Sequence, residues 1–334
     1  MNVLASIWAT RKLVIPNVWI SELGGDKIMQ RISRKQIVEG TRVPGIIHND
    51  HHFYVSIEVY EDGMVNCWEL VDLAGLKEKL NRGRVTPQVP EGEALSIHGL
   101  GAYRLQSAQW DYDEAGYLAH IEHTVQLLNP GMTNLYTISE AERRRQEERR
   151  VVNFAQASEF YVKEELFYQT AQGAGFTMFL KHQGKNYAAN VVVYKDGRVT
   201  CYTPKFELNV KMDEVEALFK KGTLFTCFKK PTEIIFEELG VLVFDEVLYS
   251  TSPKEKYKEL ADAYRKLNGA KTSLEKCREA YYTYLENPSE FARARLKELY
   301  EWVPEHERMY LGDMDNRDED YVRIIYYPED KREV

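Results

Sequence analysis

Cysteine is scarce in this chain and scattered. Four occur in 334 residues, at Cys67, Cys201, Cys227 and Cys277, with no C-x-x-C pair. That spacing excludes a disulfide framework and argues against a zinc ribbon or a thioredoxin-type redox site. Cys67 and Cys201 fall in strand-like runs and read as small buried residues. Long apolar runs are missing too: Arg11-Lys12 and Pro16-Asn17 break the first stretches, and nothing approaches the ~18 apolar residues of a membrane span. A basic excess is absent, with 44 Lys and Arg against 52 Asp and Glu and a net charge of −8. This speaks against a broad footprint for phosphate backbones. Walker, dinucleotide, nucleophile-elbow and H-E-x-x-H motifs do not occur. Leu23-Gly-Gly-Asp26 and Gly173-Ala-Gly175 read as short turns. The expectation is a cytoplasmic, globular, mildly acidic protein with no cofactor and neither a nucleic-acid nor a membrane partner.

What is present is an internal duplication. Phe53–Trp68 lies over Tyr187–Tyr202 without a gap, and Val59, Tyr60, Asp62, Gly63, Val65 and Cys67 meet their identical counterparts Val193, Tyr194, Asp196, Gly197, Val199 and Cys201. His48 lands on His182 in the same register. Further on, five residues are added around Glu207–Lys211, after which Gly83 meets Gly222 and Leu100-Gly101 meets Leu239-Gly240. A fixed long-period match of this kind marks a repeated structural unit.

Each copy has a physical reading. Val55, Ile57 and Val59 alternate with polar residues at a period of two, Asp62-Gly63 supplies a tight reversal, and Val65 and Cys67 resume the apolar face. A short helical stretch follows, Leu73–Leu80 or Asp213–Lys220, closed by a glycine, and then a returning strand, Ala94–Ile97 or Glu233–Phe236. In the first copy Tyr103–Trp110 and Tyr117–Leu128 read as another hairpin. The fold class is therefore α+β: two tandem modules of a small antiparallel sheet with a covering helix, a linker helix between them and a C-terminal helical cap.

Ser139-Glu-Ala-Glu142 has capping-box spacing and starts a linker helix between the modules. Glutamates intersperse the arginines of 143–150, as on a solvated helix face. Past Tyr249 the chain turns helical, with starts at Ser252-Pro253, Thr272 and Ser289. Tyr321–Tyr327 reads as a final strand. These features divide the chain into a first module at 1–137, a linker helix at 138–171, a second module at 172–250 and a helical segment with a terminal strand at 251–334.

Candidate chemistry is thin. His48, His51 and His52 cluster in one loop and, with His182, are the available metal donors; a polar turn explains them as well. His120 and His123 fall in an expected strand, where residues three apart face opposite ways. Tyrosine is abundant, 22 in all, and clusters at Tyr281-Tyr282-Thr283-Tyr284 and Tyr326-Tyr327. Exposed aromatics beside charge mark protein interfaces. The C-terminal Tyr310, Asp313, Asp315, Asp318, Asp320, Tyr321 and Tyr326 combine both. The sequence thus points to a non-enzymatic binding protein for a protein partner, of an immunity or regulatory type by analogy of class. Its rivals are a small-ligand sensor with a pocket between the copies and a metal-dependent hydrolase or nuclease built on His48, His51 and His52.

Overall fold

A computed structural model describes residues 38–145, 173–312 and 317–330. Its strands join in one 14-stranded mixed sheet. In the first copy β1 (Gly40–Asn49) and β2 (His51–Tyr60) form a long hairpin, and β3 (Val65–Asn66) and β4 (Leu70–Val71) fold back from it. Then come α1 (Leu73–Asn81), β5 (Val85–Thr86), β6 (Ala94–Ile97), β7 (Gly101–Trp110) and α2 (Glu114–Leu128).

The second copy repeats this order with β8 (Gly173–His182), β9 (Lys185–Tyr194), β10 (Arg198–Tyr202), β11 (Glu207–Lys211) and α3 (Met212–Lys220). It continues through β12 (Leu224–Phe225), β13 (Thr232–Phe236), β14 (Gly240–Ser250) and α4 (Pro253–Leu267). The tandem α+β modules expected from the sequence are therefore present. Val59 pairs with Val65 and Val193 with Val199, and Gly63 and Gly197 take φ of +80° and +82° at the two reversals. The five added residues lengthen the β10–β11 hairpin, since Val71 pairs with Val65 but Val210 with Val199.

Four expectations need correction. Tyr117–Leu128 is helical: Asp113 caps α2 by accepting the Gly116 N–H at 2.7 Å, and Tyr117, Ile121 and Val125 form a buried stripe at helical spacing. α4 stands where α2 stands, so the repeat runs to Leu267, beyond the expected boundary at 250. Gly173-Ala-Gly175 opens β8 instead of forming a turn. The C-terminal Tyr321–Tyr327 is also not a strand. Residues 319–326 form a helix that buries Tyr321, Ile324 and Ile325.

β7 and β14 join the copies as antiparallel neighbours. Leu105 pairs with Phe244, its own counterpart in the repeat, so a pseudo-twofold axis passes through that pair. At the two ends Gly101 and Gly240 are counterparts. A Cβ on Gly101 would lie 2.4 Å from the Tyr249 carbonyl oxygen, and one on Gly240 2.5 Å from that of Gln109. One continuous core crosses the junction, with Leu95, Tyr103 and Leu105 packed among Phe179, Phe236, Leu242 and Phe244. The Tyr103 hydroxyl donates to the Thr226 carbonyl at 2.7 Å.

After the repeat, α5 (Ser273–Glu286), α6 (Glu290–Trp302) and α7 (Glu319–Tyr326) build a separate core around Cys277, Leu296, Tyr300, Tyr321 and Ile324. Thr272 and Ser289 cap α5 and α6 as their sequence spacing implies. The chain is helical at 140–145 behind the Ser139–Glu142 capping box; the apolar part of the expected linker helix lies outside the described residues. Among the described residues no helix is long and apolar enough to cross a membrane.

Candidate functional site

A groove of about 590 Å³ opens beside α1 in the first copy. Its floor is Ile47, Cys67, Val71 and Val85, and its walls carry Trp68, Glu69, Glu78, Lys79, Arg82, Arg84 and Arg143. The chain reverses at Trp68, where the Cys67 N–H donates to the Glu69 carbonyl at 3.1 Å. This forces Trp68 to a φ of +66°, a conformation that a bulky L-residue adopts only at a cost. The indole is 56% exposed and leans on Phe53 at 5.3 Å between ring centroids. Sequence reasoning missed this residue. Its signal was present in the five-residue difference between the copies: without a longer loop the first copy must turn sharply after Cys67. In the second copy Tyr202, the counterpart of Trp68, ends strand β10.

The groove is charged and mostly self-paired. Lys79 meets Glu69 at 2.7 Å, Arg82 meets Glu78 at 2.6 Å, and Arg143 meets Asp72 at 3.1 Å. Arg84 differs, since its guanidinium donates to the neutral Asn49 amide oxygen at 3.1 Å. Its charge is therefore not spent on a neighbouring carboxylate. Burial pushes the Cys67 thiol up to about 11, so the sulfur in the floor is a protonated, inert group at neutral pH.

The histidines do not converge. His48 and His52 pair across the β1–β2 hairpin and stack at 4.3 Å, while His51 points to the other face of β2 and meets Phe53 at 6.5 Å. Burial, with His48 nearby, lowers the pKa of His52 against the opposing pull of Glu93. His182 stacks on Phe206 at 4.3 Å in the other copy. It is not the structural counterpart of His48. The β8–β9 turn is one residue longer, so Ile47 answers to Leu180 and His48 to Lys181, as the strand pairings Ile47–Val85 and Leu180–Leu224 require. His120 stacks on Tyr112 at 4.9 Å, and His123 is exposed on α2. Among the described residues no group of three or more His, Cys, Asp or Glu is placed to hold a metal ion.

The C-terminal candidates separate. Tyr321 is buried, its hydroxyl donating to the Leu311 carbonyl, and so cannot anchor a partner. Asp318 accepts from the Tyr300 hydroxyl at 2.6 Å, and Asp320 pairs with Arg323 at 3.3 Å. Tyr310 and Tyr326 are exposed. Asp313 and Asp315 lie outside the described residues. Of the tyrosine clusters, Tyr281 stacks on Tyr321 at 4.2 Å, whereas Tyr282 and Tyr327 are exposed.

No curated protein and no solved structure matches the chain. Two family models do. A domain of unknown function, DUF7639, matches residues 272–333, the segment that begins at the cap of α5. The other covers 28–132 and 160–271, two stretches whose ends fall just past α2 and α4, the last helices of the two copies. Matched over well more than half its length, in two segments that coincide with the structural repeat, the chain belongs to the DUF7638 family of domains of unknown function.

Proposed function

We propose that the protein is a non-enzymatic binding protein, and that its first copy holds an acidic segment of a protein partner in the groove beside α1. The carrying observation is Trp68, an exposed indole kept in a left-handed backbone conformation at the rim of the groove. A costly conformation persists where the surroundings impose it, and such positions cluster at ligand clamps and active sites. Tryptophan and arginine are also the side chains that dominate interface energies. Arg84 supplies a positive charge for a carboxylate, and the paired rim charges would set register more than affinity. A sensor pocket between the copies has less support, because Tyr103, Phe179, Phe228, Phe236 and Phe244 fill that junction.

The test is affinity capture from native extract with wild-type protein, Trp68→Ala and Arg84→Glu, with each retained protein identified and its affinity then measured in purified form. Trp68→Ala is expected to weaken the partner at least about thirtyfold, the ~2 kcal/mol of an anchor residue. Arg84→Glu should weaken it more at low salt than at high salt. A partner bound equally well by Trp68→Ala would refute this location.

A further inference from the structure

The five residues that distinguish the second copy leave a mark at the far end of the sheet. In the first copy β4 is two residues long; its counterpart β11, Glu207-Leu-Asn-Val-Lys211, is five and forms the terminal strand of the sheet path. Flanking hydrogen bonds, Thr203 N–H to the Phe206 carbonyl and Met212 N–H to the Gly197 carbonyl, fix the ladder parity. Residues 208 and 210 bond to β10, while 207, 209 and 211 turn their N–H and C=O groups away from it. An open depression of about 650 Å³ borders the strand along Asn209–Lys211. An edge of this kind is a template for another strand.

Its sequence says which strand. Laid antiparallel on itself about Asn209, β11 sets Glu207 opposite Lys211 twice, Leu208 opposite Val210 twice, and Asn209 opposite Asn209. Every cross-strand pair is then complementary, charge with charge and apolar with apolar. The Lys211 N–H already donates to the Glu214 carboxylate at 2.8 Å. The outward groups that remain would form two hydrogen bonds between the Asn209 residues and one from each Glu207 N–H. Glu207, Asn209 and Lys211 are exposed, with Leu208 and Val210 half-buried on the other face.

We propose that the β11 edge is an isologous contact through which a second copy of this chain binds, as a twofold symmetric, concentration-dependent dimer. The contact is independent of the Trp68 groove, which lies in the other copy of the repeat. A five-residue edge buries less than a standard interface, so the association is weak and reversible.

Sedimentation velocity on the full chain, from micromolar to millimolar concentration, tests it. The wild type should shift from monomer to dimer across that range. Glu207→Lys and Lys211→Glu each place like charges opposite one another twice and should weaken the dimer roughly tenfold. The double variant Glu207→Lys/Lys211→Glu restores opposite pairs and should restore the dimer, and an equimolar mixture of the two single variants should associate as a heterodimer. Thermal melts of each variant separate loss of contact from loss of fold, and the rescue by the double variant stands apart from both. A wild type that stays monomeric at millimolar concentration overturns the proposal. So does a dimer indifferent to the single reversals, or one that the double reversal fails to restore.

Discussion

Lys256 marks one of the differences between the two copies of the repeat. Its counterpart in the first copy is Tyr117, whose hydroxyl donates to the Pro44 carbonyl at 2.8 Å. Lys256 is fully buried, its Nζ 2.6 Å from a Glu259 carboxylate oxygen and 3.5 Å from the centre of the Phe176 ring. Burial lowers its pKa, opposed by Glu259. A buried ion pair offsets its desolvation cost only while both partners remain. Glu259→Gln should therefore cost about 3–5 kcal/mol, because it leaves the buried ammonium unpaired, whereas the double variant Lys256→Met/Glu259→Gln, which removes both charges, should be near neutral or stabilising. Urea unfolding at neutral pH checks both. Equal losses in the two variants would show that the pair is held by packing alone.

At the scale of elements, the equivalent helices α1 and α3 are capped by opposite means. Asp72 caps α1 by accepting the Gly75 N–H at 2.7 Å, and it also accepts the Ile138 N–H at 2.8 Å and the Arg143 guanidinium. In α3 the counterpart is Lys211, and the cap is the Glu214 carboxylate reaching back to its N–H. Asp72 is buried and so does two jobs: it starts a helix and fastens the entry to the linker helix. Asp72→Ala should cost about 2–4 kcal/mol, well above the ~1 kcal/mol expected for Asp113→Ala at the exposed cap of α2. Hydrogen exchange should show the added loss at residues 136–143. A loss confined to α1 would mean that the linker is held elsewhere.

At the scale of the whole repeat, the two copies meet at the β7–β14 seam. Gly101 and Gly240 sit at its two ends with φ of +159° and +151°, each pressed against the opposite backbone. Gly101→Ala and Gly240→Ala should each cost about 2–4 kcal/mol, because the atoms nearest the added Cβ belong to the opposite backbone, which cannot swing aside. Nine residues of strand separate the sites, so the two losses should add. Gly83 and Gly222, the matched helix-terminal glycines, have open space around the Cβ position, and alanine there should cost only about 1 kcal/mol. Chemical denaturation of the four single variants and the Gly101/Gly240 double variant would show this ranking. A small cost at the seam would mean that the copies can shift apart without loss.

The repeat was legible because its identities recur at one long offset, and the Asp-Gly reversals, the capped starts at Ser139, Ser252, Thr272 and Ser289 and the glycine ends of α1 and α3 because each rests on bonds between residues a few positions apart. The runs 117–128 and 319–326 were not. Their apolar residues fit a strand about as well as a helix, and the choice fell to what they pack on: α2 on the first sheet, α7 on α6. The same holds for the candidate site. His48, His51 and His52 are adjacent in sequence, but β-pleating sends them to opposite faces. Trp68 and Arg84, sixteen residues apart, meet in one groove because α1 folds back over the sheet between them. Which polar residues become buried, which aromatic stays exposed and which edge stays open depend on contacts across the chain, such as Tyr103 with Thr226. Local sequence carries no information about those distances; the joining of the two copies across the β7–β14 pair does.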